Sequence, residues 1–196
     1  MCVICVSLSG VKQPTESVLR IMFNRNPDGA GYMMARDGKV YIHKGFMDFE
    51  SFREAVRLEH FTAADSVVYH FRISTQAGVN PEMTHPFPLS NQPRRMLALD
   101  VTCRCGIAHN GIIQLTSDPT NTQYSDTAVF ITDYLAHIIR KPADLRNQQL
   151  LDRIYTLARS KFAIMDASGH VATVGEFINE NGLLYSNHSY VEYAWR

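Results

Sequence analysis

The chain begins MCVICVS (residues 1–7), a short apolar run with cysteine at its second and fifth positions. Only about six apolar residues are present and no basic residue precedes them, which does not fit a secretory signal peptide. We interpret the run as a buried β-strand that starts the fold. Because thiols stay reduced in proteins that are not secreted, the four cysteines predict a cytoplasmic protein without disulfides.

Length and composition predict one globular domain spanning residues 1–196. The chain has 196 residues, 45% of them apolar and 19% charged, with a formal net charge of zero. This length suits one domain with its own core better than two. The only dense basic spot is Arg94-Arg95, which argues against nucleic-acid binding. No apolar run approaches the roughly 20 residues that cross a bilayer, so we expect no membrane partner.

Hydrophobic periodicity predicts helices in two groups and strands between them. The helices are predicted at 13–26, 48–60, 125–140 and 145–159, and the strands at 2–7, around hairpin turns at 37–38 and 168–169, and at 65–75, 94–100, 103–113 and 183–185. Early and late helices around many strands favour a layered α+β domain with antiparallel sheets. The proline-containing stretch from Gly78 to Pro93 is predicted to be a long functional loop.

Four segments are richer in polar and glycine residues than packing requires. They are NRNPDGAGY (24–32), HFRISTQAG (70–78) with THPF (84–87), AHNG (108–111) and YSDT (124–127). Each one alone is an ordinary turn, strand end or helix cap. In this order behind an N-terminal cysteine, they resemble the class II glutamine amidotransferase domain, an N-terminal-nucleophile (Ntn) hydrolase.

This resemblance implies a fold, a reaction and a set of site residues. The implied fold is a four-layer αββα sandwich of two stacked antiparallel sheets. The implied reaction is hydrolysis of the glutamine side-chain amide through a thioester on a cysteine, with release of ammonia and without a cofactor. The implied catalytic residues are Cys2, Asn110 and Gly111, and the implied substrate-binding residues are Arg72, Thr75, His85 and Asp126.

The hydrolysis of an amide explains why each of these residue types would be needed. A cysteine that becomes the first residue brings its own base, because an α-amino group has a pKa of about 7.7–8.0. Cys2 has a free α-amino group only after removal of Met1. The amide of Asn110 and the N–H of Gly111 can stabilise an oxyanion. Arg72 and Asp126 supply opposite charges for the two ends of an amino acid.

Four other interpretations remain open at this point. Cys2, Cys5, Cys103 and Cys105 supply the four thiols of a zinc site, although one pair is spaced too closely for the usual pattern. His70, His85 or His109 could serve as the base of a Cys-His hydrolase. A non-catalytic regulatory module, or an Ntn amidohydrolase for another linear amide or γ-glutamyl compound, would also keep the fold.

The resemblance further implies a partner. Multidomain relatives pass ammonia to a synthase domain in the same chain, whereas here the sequence stops soon after the last predicted strand and contains no P-loop. We therefore expect a separate ammonia-accepting synthetase or ligase, with the loop from Gly78 to Pro93 as a moving lid or contact surface. No prediction of oligomeric state follows.

Overall fold

Two antiparallel sheets form the centre of the fold, in a computed structural model that describes residues 1–74, 79–117 and 123–192. The strands are β1 (Val3–Ser7), β2 (Ala30–Arg36), β3 (Lys39–Phe46), β4 (Val67–Phe71), β5 (Phe87–Pro88), β6 (Asp100–Cys103), β7 (Cys105–Asn110), β8 (Lys161–Asp166), β9 (Val171–Val174), β10 (Ile178–Glu180) and β11 (Leu183–Tyr185). The first sheet has the order β10-β11-β1-β4-β2-β3-β6, and the second has the order β5-β7-β8-β9.

Helices cover the outer face of each sheet. Helices α1 (Glu16–Arg25) and α2 (Phe49–Leu58) begin at caps that the sequence supplies, with the side chains of Thr15 and Asp48 accepting backbone N–H groups. Helix α3 (Asp126–Phe130) continues through a π-helical turn (Ile131–Leu135) into α4 (Ala136–Ile138), and α5 (Gln148–Ala158) follows. Within the described ranges, no helix is both long and apolar enough to cross a lipid bilayer.

Alternation along the strands creates three apolar layers. On β1, Cys5 faces a cluster shared with α1 and α2, whereas Ile4 faces a cluster between the two sheets. On β7, Ala108 joins the cluster between the sheets, whereas Ile107 packs toward the later helices. Since successive side chains of a strand point to opposite faces, each sheet buries both of its faces. The predicted αββα sandwich of two stacked antiparallel sheets is confirmed.

Two predicted strands differ from the structure. Residues 94–100 were expected to be extended, but Pro93–Leu97 forms a 3-10 helix, because the proline at its first position favours a helical start. The strand predicted at 103–113 is interrupted at Arg104, so that β6 belongs to the first sheet and β7 to the second. Arg104 is therefore where the chain crosses from one sheet to the other.

The loop predicted to be a lid is largely built into the core. In its described part, 79–93, the side chains of Met83, Thr84 and Phe87 are buried, and Phe87 pairs with β7. The buried ammonium of Lys44 donates to the carbonyl of Glu82 at 2.7 Å and to a second carbonyl, at residue 96, at 2.6 Å. This packing argues against a lid that moves as a whole; the other expectation for this loop, a contact surface, stays a prediction.

Candidate active site

Cys2 lies at the start of β1, in the interior of the first sheet. Strand β1 pairs with β4 so that Val3 lies opposite Phe71, which places Cys2 beside the residues that follow β4. The Cys2 Sγ accepts the backbone N–H of Ile73 at 3.5 Å and lies 3.6 Å from the carbonyl oxygen of the same residue. The thiol is therefore fixed against the end of the neighbouring strand.

A small cavity brings five of the seven predicted site residues together. Its lining includes Cys2, Arg72, His85, Gly111 and Asp126, and its volume is about 40 Å³. One water molecule accounts for roughly 30 Å³ of liquid. The cavity must therefore widen before an amino acid can bind. Of the other two predicted residues, Thr75 lies outside the described residues, and Asn110 is not part of the cavity wall.

The sheet positions Arg72 from the segment before β2. Its backbone N–H donates to the carbonyl of Gly29 at 2.8 Å, and its carbonyl accepts the N–H of Asp28 at 2.9 Å. Asp28 also accepts the N–H of Ser74 at 2.7 Å, and the Arg72 guanidinium donates to the Ser74 hydroxyl at 3.2 Å. Burial lowers the pKa of Arg72 while the nearby Cys2, Asp28 and Asp126 raise it. An arginine remains charged at neutral pH, so the cavity keeps a fixed cation.

The first turn of α3 positions Asp126. The hydroxyl of Ser125 caps this helix by accepting the N–H of Ala128 at 3.2 Å. One carboxylate oxygen of Asp126 accepts the N–H of Ile113 at 2.7 Å, and the other accepts the N–H of Thr127 at 2.7 Å. These bonds fix the carboxylate at a helix start, where negative charge is favoured. The cavity thus contains opposite charges on two of its walls.

Asn110 ends β7 immediately behind the cavity and is held by Ser186, in the stretch LLYSN (183–187) that the family resemblance reaches only loosely and for which the sequence indicated no role. Its side-chain Nδ2 donates to the hydroxyl oxygen of Ser186 at 2.8 Å. The same oxygen accepts the N–H of Ile4 at 2.8 Å, and the Ser186 carbonyl accepts the Lys161 ammonium at 2.7 Å. Asn187 adds a bond from its amide to the carbonyl of Cys2 at 2.7 Å. Ser186 and Asn187 therefore support the side chain of Asn110 and the backbone of Cys2.

Gly111 occupies a position that only glycine tolerates. Its φ is +145°, and a Cβ atom here would lie 2.5 Å from the hydroxyl oxygen of Ser160. The chain can therefore turn sharply after Asn110 and present its backbone to the cavity. This agrees with the reason for which the sequence made Gly111 a candidate.

Three buried histidines lie side by side at the cavity, and two of them, His85 and His109, are part of its lining. The rings of His70 and His85 are 4.3 Å apart, and those of His85 and His109 are 6.1 Å apart. His70 donates to the carbonyl of His109 at 2.9 Å, and the Nδ1 of His109 lies 2.7 Å from the hydroxyl of Thr127. Burial lowers the pKa of His70 and of His109 to about 3, and that of His85 well below its usual value. All three side chains are neutral at physiological pH.

The thiol needs a base that these histidines cannot supply. Burial raises the pKa of the Cys2 thiol, although the Ile73 N–H and the Arg72 charge lower it. A histidine with so low a pKa is too weak to take the proton of such a thiol. This argues against the Cys-His reading. Met1, which precedes Cys2, is 73% exposed.

The remaining thiols do not converge on a zinc site. Cys5 packs between the first sheet and helices α1 and α2. Cys105 packs on the other side of the molecule, between the second sheet and the later helices. Both sheets separate the two residues, so the four thiols cannot share one metal ion. Burial raises the pKa of Cys103 to about 12 and of Cys105 to about 11, as is typical of inert core thiols.

Comparison with known proteins gives independent support for the fold. The sequence matches no protein-family model and no curated protein sequence. One similar solved structure is that of the allosteric regulatory enzyme of purine biosynthesis, with a TM-score of 0.52 and 21% identity, over 85% of this chain and 36% of that one. Another is the glutamine phosphoribosylpyrophosphate amidotransferase of B. subtilis, with a TM-score of 0.49 and 24% identity, over 85% of this chain and 35% of that one. This chain thus spans about a third of each, and the first likeness shows that the predicted fold is shared.

Proposed function

We propose that this protein hydrolyses the side-chain amide of glutamine to glutamate and ammonia, with Cys2 as the nucleophile. The observation that carries the proposal is the lining of one cavity by a thiol, the guanidinium of Arg72 and the carboxylate of Asp126. A zwitterionic amino acid offers a carboxylate to the cation and an ammonium to the anion. Its side chain then extends toward the thiol.

The first half of the reaction forms a thioester. After removal of Met1, the α-amine of Cys2 takes the thiol proton, and the sulfur attacks the amide carbon. The carbonyl oxygen becomes an oxyanion, for which the N–H of Gly111 and the amide of Asn110 are the proposed donors. Collapse of this intermediate breaks the C–N bond, and the amine returns its proton to the nitrogen that leaves as ammonia.

The second half consumes water. The free α-amine takes a proton from a water molecule, whose oxygen attacks the thioester carbon. The C–S bond breaks, glutamate leaves, and the sulfur regains a proton. The acyl carbon therefore gains one oxygen from water in exchange for the nitrogen that left, and no cofactor is required.

The proposal includes a separate protein that accepts the ammonia. Free ammonia is mostly protonated in neutral water and is then no nucleophile, so a direct transfer keeps it reactive. Ile112 and Leu115 follow Gly111 in the chain and are exposed apolar side chains, 38% and 51% accessible respectively. Exposed apolar groups beside a site are typical of a surface that a partner covers.

The experiment is a product assay on protein whose first residue has been verified by mass spectrometry. We expect glutamate and ammonia in equal amounts from glutamine, and no product from a Cys2→Ala variant. Asparagine, γ-glutamyl amides and a simple linear amide are assayed beside glutamine, so that the amidohydrolase alternative has its own readout. Absence of product from every amide, with Cys2 as first residue and with host proteins added back, would favour the non-catalytic module.

A further inference from the structure

A second, larger cavity lies away from the candidate active site. Its volume is about 660 Å³, within the range of roughly 300–1,000 Å³ that is typical of small-molecule pockets. Four basic side chains line it, those of Arg95, Arg104, Arg140 and Lys141, together with no acidic residue in the described lining. We call this cavity the basic pocket.

The charges of the basic pocket are poorly compensated. Elsewhere in the described chain, arginines such as Arg20, Arg57 and Arg146 pair with carboxylates. No such ion pair to any of the four basic residues of the pocket occurs in the part of the chain that the structure describes. Asp144 lies beside the pocket, where its carboxylate accepts the backbone N–H groups of Arg140 and Lys141 at 2.9 and 3.0 Å. A second carboxylate, that of Asp166, lies opposite Cys105 on β8 but is paired with Arg146 at 2.9 Å. Basic groups therefore outnumber acidic groups at the pocket, in a protein whose net charge is zero.

Two of the arginines are oriented while keeping donors free. Arg95 donates through Nη2 to the carbonyl of Thr102 at 2.6 Å, and Arg140 donates through Nε to the carbonyl of His137 at 3.2 Å. A guanidinium has five N–H groups, so each retains several for a bound anion. Arginine binds the paired oxygens of phosphates and carboxylates through two parallel hydrogen bonds.

The pocket also has an apolar wall. Leu89, Ala136 and the buried Ile139 and Cys105 line it beside the basic residues. A ligand that fits this combination carries negative charge at one end and a less polar body at the other. A concave cavity with charge confined to it suits a small molecule better than the extended backbone of a nucleic acid.

The basic pocket and the candidate active site are separate places in the fold. Strand β7 begins at Cys105 in the basic pocket and ends at Asn110 behind the cavity of Cys2. At roughly 3.3 Å per residue, these two ends are about 17 Å apart. The α3–α4 segment also spans the two sites, from Asp126 at the candidate active site to residues 136–140 at the pocket.

From these observations we infer that the basic pocket binds a small anionic metabolite, with at least two negative charges on phosphate or carboxylate groups and an apolar or planar body. The inference does not depend on amide hydrolysis, because binding can be measured without turnover. Phosphate and carboxylate ligands share the chemistry that the arginines recognise, so the experiment has to separate them.

The test is isothermal titration calorimetry on the full chain carrying Cys2→Ala. The ligands are adenosine triphosphate, inorganic pyrophosphate, inorganic phosphate and citrate, each up to about 5 mM, a range in which weak millimolar complexes are still detectable. We expect saturable one-to-one binding of at least one multiply charged ligand and weaker binding of inorganic phosphate. A preference for the nucleotide or pyrophosphate assigns a phosphate ligand, and a preference for citrate assigns a polycarboxylate.

Charge-reversal variants locate the site. Arg104→Glu and Lys141→Glu alter exposed side chains, so folding should be kept, and each should weaken binding by at least about tenfold. Arg153→Glu, on the exposed side of α5 and outside the pocket, makes the same change in net charge and should leave affinity unchanged. The inference is overturned if no ligand binds, if Arg153→Glu has the same effect as the pocket variants, or if only a long polyanion such as an oligonucleotide binds.

Discussion

The side-chain amide of Asn110 donates to the hydroxyl of Ser186 at 2.8 Å, across 76 positions of sequence. Through this bond the end of β7 in the second sheet is joined to the first sheet, because the same hydroxyl accepts the N–H of Ile4 on β1. The proposed oxyanion donor and the strand of the proposed nucleophile therefore share one anchor.

Ser186→Ala should lower kcat by about tenfold or more with little change in KM, because loss of one oxyanion donor typically costs about 10²–10³ in kcat and a misoriented donor loses part of that. The Asn110 amide would lose its orientation, and its role is confined to the transition state. Steady-state kinetics with glutamine measure both constants. Ser66→Ala is the matched control, since the Ser66 hydroxyl also accepts one backbone N–H, from Ser9, far from the site. An unchanged kcat in Ser186→Ala would remove Asn110 from the mechanism.

Activity should depend on Cys2 being the first residue of the chain. A short N-terminal extension that ends in a protease site immediately before Cys2 should give inactive protein, because the base would be an amide nitrogen. Cleavage that exposes Cys2 should then restore amide hydrolysis, and cleavage of a Cys2→Ala version should not. Glutamate release before and after cleavage is the measurement. Equal activity of the extended and the cleaved protein would contradict the use of the α-amine.

The two charges of the cavity should govern substrate affinity. Arg72→Gln and Asp126→Asn should each raise the KM for glutamine by about 30-fold or more, since an unpaired charge in a buried complex costs about 2 kcal/mol or more. Asp133→Asn changes an exposed carboxylate in the π-helical turn that continues α3 and serves as the control. Initial rates across a range of glutamine concentrations separate KM from kcat. A KM in either cavity variant equal to that of the control would show that the substrate is not held as a zwitterion.

The buried histidines should make the fold sensitive to acid. Their pKa values in the folded state lie well below the value of about 6.5 that they take when unfolded, so below pH 6.5 the unfolded chain binds more protons. Stability is therefore complete above about pH 6.5 and falls as the pH drops toward 3, by up to about 1.4 kcal/mol per pH unit for each histidine. Urea unfolding at several pH values between 7.5 and 5 measures this slope.

A histidine variant tests whether the three buried histidines cause this dependence of stability on pH. His85→Leu removes one of the three titrating groups and should reduce the slope by up to about 1.4 kcal/mol per pH unit. His137→Gln, which replaces an exposed histidine outside the cluster, is the matched control. If His85→Leu kept the full slope, the ring of His85 would not be neutral in the folded state.

Local sequence chemistry predicted the elements that depend on neighbours in the chain. The turn at Asp37-Gly38 has both residues at positive φ, and the caps at Thr15 and Ser125 accept the expected N–H groups. The grouping of early and late helices around the strands predicted a layered α+β domain, and the resemblance to a known family implied the four layers. Turns and caps are determined within a few residues, where periodicity and turn chemistry act directly.

Features that depend on distant parts of the chain were missed. Alternation does not reveal which sheet a strand joins, so the change of sheet at Arg104 could not be foreseen. Ser186 and Asn187 look like ordinary residues after a short strand, and their contacts lie 76 to 185 positions away. The burial of Lys44 is likewise visible only once two loop carbonyls meet its ammonium. In each case the role of a residue depends on a contact with a residue distant in sequence, which local sequence patterns do not reveal.

The hydrogen bonds of Ser186 also have a consequence for the protein during its synthesis. Ile4 on β1 and Ser186 are 182 positions apart, so a growing chain contains Cys2 long before it contains Ser186. At that time Asn110 has no hydroxyl to hold it, and β1 lacks its neighbour β11. A nascent or truncated chain that ends before residue 186 thus carries the thiol without its supports. The proposed amide hydrolysis therefore requires the segment that carries Ser186 and Asn187.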